Sequence, residues 1–132
     1  MNVSRIITTG SLLTVISLWC LAYGQHPKMV EVDRSYDGRE VTLKIGEVVE
    51  LSLAENPTTG FRWDFAVKPE PSCRIVENTF KPATDSPGKG GTHRWQFLAV
   101  HPGAGAIDLE YRRPWEKGTP ATRTFKLTIR VR

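Results

Sequence analysis

The chain has 132 residues, 24% of them charged and 9% aromatic, with two cysteines and a formal net charge of +4. That length supports one compact core and not two. The charge excess aids solubility, but it is too small to argue for nucleic acid as a partner. In chain order, the first feature is a targeting segment. Arg5 supplies a positive n-region, and residues 6–22 are mostly apolar and lack an acidic side chain. Ala22-Tyr23-Gly24 then puts small residues at the two positions a signal peptidase reads. The expectation is a signal peptide over 1–24, cleavage before Gln25, and a secreted or periplasmic domain over 25–132 with no membrane contact in its mature form. Thr8, Thr9, Gly10, Ser11 and Thr14 interrupt the apolar run and argue against an uncleaved anchor. Trp19 stands where a lipoprotein signal wants a small residue, which argues against lipidation at Cys20.

Without this segment the formal charge is +3 and Cys73 is the one cysteine left. No intramolecular disulfide can then staple the domain, so packing must hold it, and the Cys73 thiol is expected to be quiet and partly buried. Asn56 is followed by Pro57, so it is not a glycosylation acceptor, and the mature chain holds no usable sequon.

The rest of the chain alternates with period two. Val41, Leu43 and Ile45 alternate with Thr42 and Lys44, and Val49, Leu51 and Leu53 with Glu50 and Ser52. Phe61, Trp63, Phe65 and Val67 form the next apolar row, followed by Trp95, Phe97 and Ala99, then Ile107, Leu109 and Tyr111, and finally Phe125, Leu127, Ile129 and Val131. Each row is the apolar face of a half-buried strand. Gly and Pro punctuate the connections at 45–47, 56–60, 68–71, 81–91, 101–103 and 113–120. Short strands so punctuated point to an all-β fold, an immunoglobulin-like antiparallel β-sandwich without the inter-sheet disulfide of antibody domains. Residues 74–80 alternate poorly; taken as a strand, they make every second connection fall at one end. Three segments then share that end: Asn56-Pro57-Thr58-Thr59-Gly60-Phe61, Gly88-Lys89-Gly90-Gly91 and Arg113-Pro114-Trp115.

Pro57 fixes one φ and biases Asn56 toward an extended backbone, while Gly60 permits a positive φ, so the first segment is partly pre-organised. Its two adjacent threonines suit a narrow polar cleft. The glycine segment lacks phosphate-loop spacing, but its backbone can approach a partner closely. Trp115 breaks the alternation and, beside Arg113, has the composition of a binding hot spot.

Together, and in this order, the three motifs resemble those of the chagasin-like inhibitors of papain-type cysteine peptidases. The resemblance covers essentially the whole mature chain, and Lys89 takes the variable position of its motif. It implies an immunoglobulin-like sandwich whose three loops form a wedge in the peptidase groove, held reversibly, tightly and without covalent chemistry. Asn56, Pro57, Thr58, Thr59, Gly60 and Phe61 would be the centre, with Gly88, Lys89, Gly90 and Gly91 on one flank and Arg113, Pro114 and Trp115 on the other. The expected partner is a papain-like cysteine peptidase, met by a monomer.

Two other function classes compete. For an enzyme, His26, His93, His101 and Cys73 are the candidate groups, yet none lies in a nucleophile or metal motif, so neither catalysis, metal nor cofactor is expected. A carbohydrate- or polyanion-binding module would use Trp115 with Arg112, Arg113 and Lys117, and its binding would be salt-sensitive.

Overall fold

The computed structural model describes residues 28–84 and 88–132; the signal peptide expected over 1–24 lies outside them. Among the described residues the alternating rows become eight strands: β1 (Met29–Val32), β2 (Glu40–Leu43), β3 (Val48–Glu55), β4 (Arg62–Val67), β5 (Cys73–Pro82), β6 (Gly91–Ala99), β7 (Gly103–Arg112) and β8 (Arg123–Val131). One sheet has the order β1-β3-β6-β5, the other β2-β8-β7-β4. Their inner faces meet through the rows read from the sequence. Val49, Leu51, Trp95 and Phe97 of one sheet are buried with Ile107, Leu109, Phe125, Leu127 and Ile129 of the other. Phe65 reaches across with its ring edge-to-face to Trp95 and Phe97, at centroid distances of 6.3 and 6.2 Å, the geometry aromatic quadrupoles favour.

The sandwich is as expected, with four differences. First, β1 was not foreseen: only Val32 of its four residues is buried, so it carries no alternation. Second, the sheets are not purely antiparallel. β1 runs parallel to β3, and β2 parallel to β8, because the chain turns back through a 3-10 turn at Arg34–Tyr36 and passes to the other sheet, so that β1 and β2 do not pair with each other and each joins a sheet edge beside a strand of its own direction. Third, Ile45 and Val67 do not join the core; they are 54% and 48% exposed. Ile45 lies past the end of β2, and a register shift between Phe65 and Val67 turns the latter outward. Fourth, residues 74–80 lie inside a ten-residue strand whose register shifts between Ile75 and Glu77, which is why their alternation fails.

With β5 a strand, every second connection does fall at one end. β3–β4, β5–β6 and β7–β8 are antiparallel connections that all return at the end where Glu55 faces Gly91 and Arg62 faces Arg112. Cys73 lies toward the other end, opposite Ala99, and is 1% exposed. Burial pushes its thiol up to about 11, so it is protonated at neutral pH and is not a nucleophile.

Candidate functional site

The first connection builds itself around Asn56. Pro57–Thr59 form one 3-10 turn with Pro57 at its first position, where a missing N–H costs nothing. Asn56, at φ −126° and ψ 88°, caps this turn: its Oδ1 accepts from the Thr58 N–H at 3.2 Å and from the Thr58 hydroxyl. The Thr59 hydroxyl donates to the Asn56 carbonyl at 2.6 Å. Both threonines are exposed, yet each spends its hydroxyl proton on the turn itself. In the free protein these hydroxyls stiffen the tip, leaving their methyls and spare lone pairs for a partner.

Gly60 closes the turn at φ +84°, its N–H donating to the Pro57 carbonyl at 2.9 Å. A side chain is excluded there twice over, by the left-handed backbone and by Trp115, whose indole would lie 2.2 Å from an added Cβ. Trp115 thus rests one ring edge on the first connection while staying 67% exposed. It is neither a core residue nor folded back over the sandwich.

Arg113 fastens the third connection to the first. Its Nε donates to the Thr59 carbonyl at 3.1 Å, and its guanidinium lies over the Phe61 ring at 4.5 Å. Another nitrogen reaches Glu116 at 3.2 Å. Pro114 is exposed between Arg113 and Trp115. Phe61 in turn stacks on Tyr111, with centroids 5.4 Å apart.

The glycine connection approaches from the other side. Gly90, at φ +80°, packs so closely that an added Cβ would meet the Glu55 carbonyl at 2.6 Å and the Asn56 Cβ at 2.9 Å. The Gly88 carbonyl accepts from Asn56 Nδ2 at 3.3 Å. Gly91 opens β6, and Lys89 is exposed. All three motifs are therefore gathered at one end, with Asn56 touching the glycine connection and Thr59 and Gly60 touching the Arg-Pro-Trp one.

Several residues that the motifs do not contain hold this arrangement. The Tyr111 hydroxyl accepts from the Asn56 N–H at 3.0 Å. The Trp63 indole donates to the Ala54 carbonyl at 2.9 Å and packs against the Tyr111 ring at 4.8 Å. Glu55, 5% exposed, accepts from the Trp63 N–H. Tyr111 and Trp63 were read as members of apolar rows; their polar ends carried no separate signal. Glu55 did leave one, since it continues the inward row Val49, Leu51, Leu53 with a carboxylate.

Comparison with known proteins identifies relatives of the chain. The Chagasin family peptidase inhibitor I42 matches residues 42–129. Chagasin of Trypanosoma cruzi is 38% identical over 106 residues, covering 76% of this chain and 96% of chagasin. Amoebiasin-1 of Entamoeba histolytica is 34% identical over 96 residues, 69% of this chain and 88% of that protein. In the crystal structure of a cysteine protease inhibitor from Entamoeba histolytica the same fold is found, with a TM-score of 0.72 over 82% of this chain and 99% of that one at 22% identity. The family match runs across two-thirds of the sequence and chagasin is covered almost whole: the chain belongs to the chagasin family, a family of peptidase inhibitors and not of enzymes.

Proposed function

We propose that this protein inhibits papain-type cysteine peptidases by lodging its first connection in the active-site groove, with Thr58 and Thr59 over the catalytic thiolate. The observation that carries the reading is the mutual bracing of the three motifs at one end of a stiff sandwich. Papain-type peptidases work with a thiolate and an imidazolium in a long groove and need an extended peptide bond presented for attack. A 3-10 turn with its hydroxyls tied back presents no such bond, so the complex is one of occlusion, reversible and non-covalent. Gly88, Lys89, Gly90 and Gly91 run along one side of the groove through their backbone; Trp115 packs on apolar surface along the other, with Arg113 and Pro114 setting its position. Because the loops are pre-organised, little entropy is lost on docking, and roughly 800 Å² per partner suffices for tight binding. The protein acts as a monomer, exported to the periplasm or the medium after loss of residues 1–24.

Two of the three cations of the competing polyanion site, Arg112 and Arg113, are already engaged, which disfavours it. Arg112 pairs with Glu110 at 2.6 Å, and Arg113 is engaged by Thr59 and Glu116. Titrating papain with the purified domain over residues 25–132, while following a fluorogenic substrate, tests the proposal. Stoichiometric inhibition that is reversed by dilution is the expected result. No inhibition at micromolar concentrations by a domain shown to be folded would sink it.

A further inference from the structure

Beneath the first connection lies a buried polar cluster that no motif contains. Glu55 is 5% exposed. One carboxylate oxygen accepts from the Trp63 N–H at 2.9 Å, and the other lies 2.8 Å from His93 Nδ1. The His93 ring stacks on Trp95, with centroids 4.0 Å apart and planes inclined by 10°, and its Nε2 meets the Asn78 side chain. Glu55 immediately precedes the Asn56–Phe61 segment and Trp63 follows it, so the carboxylate closes the neck of the loop. It also joins the two sheets there, since β3 belongs to one and β4 is an edge strand of the other. His93 lies two residues into β6 from Gly91 and ties the same neck to the strand that carries the glycine connection.

We propose that Glu55 and His93 are positioning residues for the inhibitory loop, the carboxylate–imidazole pair fixing the angle at which the Asn56–Phe61 tip leaves the sandwich. The inference rests on the inhibitory reading above. Val49, Leu51 and Leu53 are each at most 3% exposed on the same inward row, so a leucine at 55 would extend the core. Replacing a whole buried polar pair by well-packed apolar side chains is often neutral or stabilising, whereas removing one partner strands the other. The carboxylate and its imidazole partner offer the fold little that an apolar pair would not, but they fix a distance across the neck that apolar side chains cannot. A tip held at one angle keeps the ordering cost of docking low, and that advantage appears in the dissociation rate more than in the association rate.

The test compares Glu55→Leu, Glu55→Gln and His93→Phe with the wild type by stopped-flow association and dissociation with papain, alongside thermal unfolding and amide exchange in the free protein. Glu55→Leu, which leaves the Trp63 N–H and His93 without their acceptor, is expected to lower the melting temperature, and the folded variant to dissociate roughly 10- to 100-fold faster with an association rate within about threefold of wild type. Its Trp63 and Thr58 amides should exchange faster. Glu55→Gln offers the same acceptor to Trp63 and keeps a polar group against His93 Nδ1, and should restore dissociation to within about threefold of wild type. His93→Phe keeps the stack on Trp95 but removes one arm of the pair, and should fall between the two; it carries the test should Glu55→Leu fail to fold. Wild-type dissociation in Glu55→Leu, or Glu55→Gln as impaired as Glu55→Leu, would overturn the proposal. If the wild type does not inhibit papain at all, the inhibitory reading falls. Amide exchange then decides separately whether the pair holds the loop.

Discussion

Away from the three motifs, the sandwich is closed by its main chain. Gly46 donates to the Ala99 carbonyl at 2.9 Å, Cys73 to Pro69 at 3.0 Å, Val100 to Ser72 at 2.9 Å and Arg132 to Leu43 at 2.9 Å, all backbone to backbone. At the motif end, bonds between separate connections run through side chains, Asn56 to Gly88 and Arg113 to Thr59, and side chains also brace the neck of the first connection, where the Asn56 N–H donates to the Tyr111 hydroxyl and the Trp63 N–H to Glu55. Backbone bonds accept almost any side chain, whereas these depend on particular ones. One end is therefore built to close the fold, and the other to hold a surface in one shape.

The sharpest way to break that contrast is Trp115→Ala. At 67% exposure the side chain contributes little to folding, but as an aromatic anchor its loss should cost about 2–4 kcal/mol of binding, roughly 30- to 1000-fold in the inhibition constant. The melting temperature should stay within about 2 °C of wild type. Intact inhibition would remove Trp115 from the surface.

A matched pair of glycines comes next. Gly46 and Gly60 have φ of +92° and +84°, yet an added Cβ meets nothing within 4 Å at Gly46 and the Trp115 indole at Gly60. Replacement by alanine should cost each about 1–2 kcal/mol of stability for the left-handed backbone. Only Gly60→Ala should displace Trp115, weakening inhibition by about 10- to 100-fold. Equal inhibition by the two variants would mean that the ends do not differ in the way described.

Smaller effects are expected within the braces. Arg113→Lys keeps the charge but loses the planar fork that reaches Thr59 and Glu116 while lying over Phe61, and should speed dissociation by about 5- to 20-fold. Thr58→Ala removes one bond to Asn56 and should speed it by about 3- to 10-fold. Dissociation rates measured side by side check both, and wild-type rates in the pair would contradict the bracing.

How much of this was legible follows from the same contrast. The long strands showed themselves because burying one face imposes alternation, and the motifs because Gly, Pro and Trp stand out among alternating residues. β1 and the parallel edges were hidden, since four residues with one buried side chain carry no period and strand direction leaves no composition. The bulge at Ile75 to Glu77 erased the pattern of β5. Within the site, the direction of the Thr58 and Thr59 hydroxyls depends on where Asn56 Oδ1 and its carbonyl lie, which is a property of the turn and not of the residue types. Glu55 was the exception, a carboxylate in an apolar row.

Cys73 offers the mildest perturbation and the cleanest control, because it lies at the end closed by the main chain. Cys73→Ser places a hydroxyl in a 1% exposed site and should cost about 1–3 kcal/mol of stability while leaving the inhibition constant unchanged. The pH dependence has a definite sign. Burial raises the folded-state thiol from 9.0 to about 11, so the unfolded chain loses its proton first as pH rises. The stability linked to this group is intact below pH 9 and lost between about pH 9 and 11. Melting temperatures of the wild type should therefore fall more steeply across that window than those of Cys73→Ser. Parallel curves would show that the thiol is not held in its protonated form, and loss of inhibition in a folded Cys73→Ser protein would place function at the end that the geometry reserves for closing the fold.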